Sequence, residues 1–332
     1  MNILKQIRIT NFRNHGDFLV DLNKKTTLIV GENGSGKTSI LEAIYICLQG
    51  KSFRATDNDI LKNNTNFYKI ELDFNDGSLE KVYFDKENKR FVYNGKESKR
   101  ILKKNKYPVV LFLPEDLHLI QTSPTKRRDY FNKFFSQIDE KYNHSLLRYN
   151  KALKQRNELL KDEKTTTKDL FSWNIMLAKY GSEIARIRNN LINRINKKIT
   201  NNYQQIANNN DRVEIKYTGE EINESEYFDK LNNNINKDKI LGYTNYGIHR
   251  DDFIFYFNNK QADGSASRGE TRSIILALKF IEASIIYEVL NKKPIILLDD
   301  VFSELDEVRQ KSLIKNFKNN QVILTSVDEV KL

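Results

Sequence analysis

Apolar and polar residues alternate through NILKQIRITNF, residues 2–12, the pattern of a strand with one buried face. The β-branched run TTLIV ends at Gly31 and reads as a fully buried strand. From Ser39 to Leu48 the period lengthens, placing Ile40, Leu41, Ile44 and Leu48 on one helical face. Alternation returns between Lys69 and Tyr93, broken by Asn-Asp-Gly and followed by Asn-Gly, and predicts an antiparallel meander. PVVLFLP, Pro108 to Pro114, is one more buried strand.

Two long helical stretches follow. Phe131, Phe135, Ile138, Tyr142, Leu146, Tyr149, Leu153 and Leu160 recur near every 3.5 residues, as do Trp173, Leu177, Tyr180, Ile184, Ile187, Leu191, Ile195 and Ile199. The polar segment KDEKTTTKDL joins them into an antiparallel hairpin whose arms of about 30 residues would each reach about 45 Å. NNYQQIANNNDR reads as a loop. DFIFYFNNKQ is then a strand and turn, Ile274–Leu290 an apolar helix, PIILLDD a buried strand, SELDEVRQKSLIKNF a helix and QVILTS a last strand. Alternating strands and helices predict an α/β fold with a mostly parallel sheet and ligands at the strands' C-terminal ends. The helical lobe, 115–241, interrupts a sheet domain made of 1–114 and 242–332.

Charge and cysteine usage narrow the class. The 332 residues carry 55 Lys and Arg against 44 Asp and Glu, a surplus of +11 that suits a phosphate-backbone partner. Cys47 is the single cysteine, so no internal disulfide forms, which fits a reducing cytoplasm. The first residues lack the apolar core of a signal peptide, and no run approaches the roughly 18 apolar residues of a membrane span.

The strand TTLIV, the loop GENGSGKT and the next helix form the G-x-x-x-x-G-K-[ST] arrangement in its confirming context. Gly31, Gly34 and Gly36 let the backbone through Glu32, Asn33 and Ser35 curl so that N–H groups face phosphate oxygens. Ser39 opens the helix, whose positive dipole end adds to the site. Lys37 supplies a point charge for the β and γ phosphates of ATP, and the Thr38 hydroxyl a ligand for Mg²⁺. PIILLDD places Asp299 as the second magnesium residue and Asp300 as the group that orients or deprotonates water. In SASRGETRS, Ser267, Gly269 and the following helix N-terminus make an anion-binding cap; taken alone, this is an ordinary N-cap.

Together, the three motifs and the Ser-x-x-Asp turn Ser303–Asp306 resemble the ABC-type ATPase head. In that superfamily the signature serine closes over the γ-phosphate held by a second protomer, so the resemblance implies an ATP-dependent homodimer. The match narrows to the RecF family, related to SMC and Rad50 heads. Its carriers are ITNFRNH, GENGSGKTSILEAI, GKSFR, LPEDLHLIQTSPTKRRDYFN, GIHRDDF and LLDDVFSELDEVRQKSL, which run through nearly the whole chain. The resemblance implies an SMC-head-like sheet with an inserted helical lobe and slow DNA-dependent ATP hydrolysis. It further implies binding at single-strand gaps and junctions, cooperation with RecR and RecO, and loading of the RecA recombinase in repair and the SOS response. Arg13 matches a position that approaches the nucleotide phosphates, and Arg54 is similar. Glu115 matches a Q-loop position, and Leu324–Ser326 the switch, without its histidine.

Three residues depart from the family pattern: Thr122 for Gly, Ile248 for Pro, and Glu270 for the Gln after the signature glycine, where added negative charge would weaken ATP-driven closure. Candidates for the DNA surface are Lys103, Lys104 and Lys106; Lys126, Arg127 and Arg128; and Arg186, Arg188, Arg194, Lys197 and Lys198. Arg127 and Arg128 pair equally well with carboxylates inside the lobe, and His249 reads equally well as a satisfied loop histidine. The rivals are a structural DNA-binding protein with an inactive ATP site, an SMC- or OLD-like ATPase of another role, and a transporter subunit needing a membrane partner.

Overall fold

The first strand buries Leu4, Ile7, Ile9 and Phe12, which strict alternation does not place on one face. Two irregularities reconcile them: a register shift between Leu4 and Gln6, and a left-handed backbone at Asn11 (φ 53°) that turns Phe12 inward. This strand, β1 (Leu4–Phe12), belongs to a computed structural model that describes residues 3–102 and 105–328. The fold divides into two units, Met1–Leu117 with Glu282–Leu332, and His118–Ile281.

In the first unit, β1 pairs with β2 (His15–Asp21), and β3 (Thr26–Val30) leads through the glycine loop to α1 (Lys37–Gln49) and the short α2 (Asp57–Ile60). The meander follows as β4 (Tyr68–Phe74), β5 (Leu79–Phe84), β6 (Lys89–Tyr93) and β7 (Lys96–Ser98), giving an antiparallel sheet in the order β2-β1-β4-β5-β6-β7. β8 (Val109–Phe112) closes this part of the chain.

The second unit holds α3 (Pro124–Ile138), α4 (Glu140–Leu160), α5 (Thr167–Ala207), β9 (Val213–Tyr217), α6 (Glu224–Asn233), α7 (Ile235–Leu241), β10 (Phe253–Phe257), β11 (Lys260–Gln261) and α8 (Ala262–Ser265). The first arm is therefore two helices: the Asp139 side chain accepts from Tyr142 N (2.9 Å) and starts α4 afresh. The second arm runs on through part of the expected Asn-rich loop to Ala207, where Asn208 (φ 52°) ends it. The sequence places the lobe's end at 241, whereas the structure's second unit continues to Ile281, because β10 pairs antiparallel with β9.

The chain then returns through α9 (Arg268–Leu290) to β12 (Ile295–Asp299), α10 (Glu307–Phe317) and β13 (Val322–Ser326). A parallel sheet forms in the order β3-β13-β12-β8. The core of the first unit joins Ile40, Leu41, Ile44 and Leu48 of α1 to Ile7, Ile9, Ile70 and Leu72 of the antiparallel sheet. Ile295, Leu297 and Ile323 of the parallel sheet complete it, so α1 is fixed from both sides. Among the described residues no helix is long and apolar enough to cross a membrane.

Candidate nucleotide-binding site

Strand β3 delivers the chain to Gly31, whose N–H donates to the Ser326 carbonyl at the end of β13 (3.3 Å). The loop then tightens through Ser35 N donating to Glu32 O (3.2 Å), with Glu32, Asn33, Gly34 and Ser35 exposed. Gly36 is left-handed (φ 97°), so its conformation favours glycine, and a Cβ there would sit 2.5 Å from His15 Nε2 and displace that ring. Lys37 Nζ donates to the carbonyls of Gly31 (2.6 Å) and Glu32 (2.9 Å), which places the ammonium under the loop. No side chain caps the start of α1 and no acidic residue lies in its first turn, leaving the helix's positive end to an anion.

The next residue reaches the other half of the site. Thr38 Oγ1 lies 2.8 and 2.9 Å from the two carboxylate oxygens of Asp299, at the end of β12. Thr325 Oγ1 donates to Asp299 Oδ1 (2.8 Å), and Asp300 N donates to Thr325 Oγ1 (3.0 Å) and O (3.2 Å). Thr325 lies in the segment Leu324–Ser326 that matches the switch position, and the parallel register sets it opposite Asp299. Asp300 is left-handed (φ 49°), and its buried Oδ1 has no hydrogen-bond partner among the described residues. Burial raises the Asp300 carboxyl above its usual range, with Lys37 pulling the other way. These hard oxygens suit a magnesium ion, which needs only one or two protein carboxylates beside phosphate and water.

Gly31 to Ser39, Asp299 and Asp300 are thus brought together in one unit. Arg13 has its Nε (3.0 Å) and Nη2 (2.9 Å) on Glu42 and its Nη1 on the Asp59 carbonyl (2.9 Å). Arg54 is bound to the same carboxylate. Ser267 and Gly269 belong to the second unit, where Glu270 completes a capping box: Ser267 N donates to Glu270 Oε2 (2.6 Å) and Glu270 N to Ser267 Oγ (3.3 Å).

Of the surface candidates, Arg188 is buried, with its guanidinium on Tyr142, Asn132, Tyr217 and the Ile248 carbonyl; it holds the lobe together and faces no solvent. Arg127 grips Asp252 through two bonds of 2.8 and 2.6 Å, and Arg128 donates to the Asp251 carbonyl (2.7 Å). His249 bonds Tyr149 OH (2.8 Å) and the Thr244 carbonyl (2.9 Å), and burial lowers its pKa to about 4. Lys126, Arg186 and Lys197 are exposed, while Lys103 and Lys104 lie outside the described residues.

Phosphate loop, facing aspartates and interrupted sheet define an SMC-head-like P-loop ATPase fold with an inserted helical lobe. A family model described as an AAA domain matches residues 6–331. The DNA replication and repair protein RecF of Clostridioides difficile is 35% identical over 98% of this chain and 91% of its own length. That of Clostridium kluyveri is 34% identical over 99% and 94%. A solved structure of the recombination mediator protein RecF with ATP in the RecFOR pathway superposes with a TM-score of 0.89 at 30% identity, covering 100% of this chain and 93% of that one. The Smc head domain of Pyrococcus furiosus shares the fold, with a TM-score of 0.55 at 15% identity over 99% and 90%. The chain belongs to the RecF family of DNA replication and repair proteins.

Proposed function

We propose that this chain is an ATP-gated, DNA-binding recombination mediator of the cytoplasm. One observation carries the reading: the Thr38 hydroxyl and the Asp299 carboxylate converge within 2.9 Å beside a glycine loop whose lysine is already in place. Lys37, the loop N–H groups and the α1 N-terminus bind the triphosphate of ATP. Thr38 and Asp299 hold Mg²⁺, which neutralises phosphate charge when bound. Asp300 takes its place beside them as the group that orients water or accepts its proton. Ser267 and Gly269 of one protomer close over the γ-phosphate held by the other, so ATP selects the closed homodimer, which grips DNA at single-strand gaps and junctions. Hydrolysis, slow and stimulated by DNA, releases it. The RecFOR description of the solved relatives supports the cellular role, to which our reading adds partnership with RecO and RecR and assistance to RecA loading.

Sedimentation tests the reading. With ATP the wild type should run as a dimer, with ADP as a monomer, and Ser267→Arg as a monomer in both. A wild type that stays monomeric with saturating ATP, with and without DNA, sinks it.

A further inference from the structure

Glu42 lies one helical turn beyond Thr38 on α1, and its side chain has no accessible surface. Five donors converge on it: Arg13 Nε (3.0 Å) and Nη2 (2.9 Å), Arg54 Nε (3.1 Å) and Nη2 (2.9 Å), and Ser52 Oγ (2.6 Å). Burial works to raise this carboxyl, but the hydrogen bonds from Arg13, Arg54 and Ser52 outweigh it and hold the group below its ordinary value.

The consequence lies at the other end of Arg13. Its backbone is left-handed (φ 54°) and its N–H donates to the Ile60 carbonyl (2.8 Å), so the β1–β2 turn is fixed by main chain and side chain together. The two residues after it touch the phosphate loop: Asn14 Nδ2 approaches Gly34 O (3.4 Å) and His15 Nε2 lies 3.2 Å from Gly36 O. The Gly36 carbonyl belongs to the peptide whose N–H, that of Lys37, must face an anion, and the Gly34 carbonyl to the one whose N–H closes the loop on Glu32 O (3.2 Å). Contacts from the outer side hold the loop in that shape before ligand arrives, which spares the ordering cost on binding.

We infer that Glu42 is a positioning residue for the nucleotide: through Arg13 it braces the phosphate loop from outside, while its guanidinium partners are engaged away from the phosphates. The inference rests on the reading of Gly31–Thr38 as an ATP site. A brace acts on the loop common to ATP and ADP, so loss of the brace weakens both equally. A guanidinium that itself contacted the γ-phosphate would discriminate between them.

Calorimetric binding of ATP and ADP to the full chain, with hydrolysis at saturating ATP, tests this on Glu42→Gln, Arg13→Lys and the double variant. Arg13→Lys keeps the charge and loses the fork. Each single variant should raise both Kd values about tenfold, leave kcat within about threefold, and the double should be no worse than either single. Additive losses, an unchanged Arg13→Lys, or a loss confined to ATP overturns the inference. Should Glu42→Gln fail to fold, Arg13→Lys and Asn14→Ala/His15→Ala carry the test, the latter expected to reproduce the equal loss of ATP and ADP. If the wild type itself binds no ATP, the ATP-site reading fails first, which separates the two failures.

Discussion

Asp300 is the residue on which hydrolysis should depend most sharply. Asp300→Asn should retain ATP binding and lose at least about a hundredfold in turnover, whereas Lys37→Met should lose binding as well. Burial raises the Asp300 carboxyl, and only its ionised form accepts a proton, so turnover should fall as pH drops through a value above the ordinary carboxylate range. The pH profile of kcat/KM, which reports groups of the free protein, checks this. Glu80 titrates in the opposite sense for stability. Burial pushes its pKa up to about 8, so the folded state keeps a proton that the unfolded chain releases near 4.3. Stability is fully present below the lower value and is lost as pH rises through the upper one. Melting temperature should therefore decline between about pH 5 and pH 8, and Glu80→Gln should flatten that decline. Gly31 to Thr38 were legible in the sequence because a contiguous loop carries its own geometry. Thr325 was legible only as part of the switch segment; its contact with Asp299 and the role of Glu42 were not, since a register and a side-chain fork bring them to their partners from elsewhere in the chain.

Elements were legible to the extent that burial follows period. The meander, the parallel strands and α5 follow their apolar patterns, but the buried stripe of the helical lobe also carries Arg156, Asn174 and Arg188, which an apolar period cannot reveal. Arg156 and Asp238 form a wholly buried pair at 2.7 Å, and Arg188 is satisfied by hydroxyl and carbonyl groups. Only the folded arrangement shows that these charges point inward. The break at Asp139 escaped the periodicity because Ile138 and Tyr142 keep the spacing of one helix across it. Arg127 ties α3 to the segment before β10 through Asp252. Arg127→Met should cost about 2 kcal/mol by leaving that carboxylate unpaired, and adding Asp252→Leu should recover part of the loss. Differential scanning calorimetry of the single and double variants decides it.

Across the whole molecule, the surplus of positive charge should act through the DNA backbone. The logarithm of the DNA binding constant should fall linearly with the logarithm of salt concentration, and replacing exposed Arg186 and Lys197 by Gln should reduce the slope by about 1 to 2. An unchanged slope removes that face of α5 from the DNA surface. The interrupted sheet has a further consequence, for synthesis. Thr38 and Asp299 stand 261 positions apart, and β3 takes its sheet partner from the last strand described. At ordinary elongation rates, roughly ten to fifty seconds separate translation of the two halves of the site. Throughout that interval the glycine loop emerges from the ribosome without its aspartates, so, on the roles proposed for Asp299 and Asp300, a nascent chain should not hydrolyse ATP before β12 and β13 have emerged.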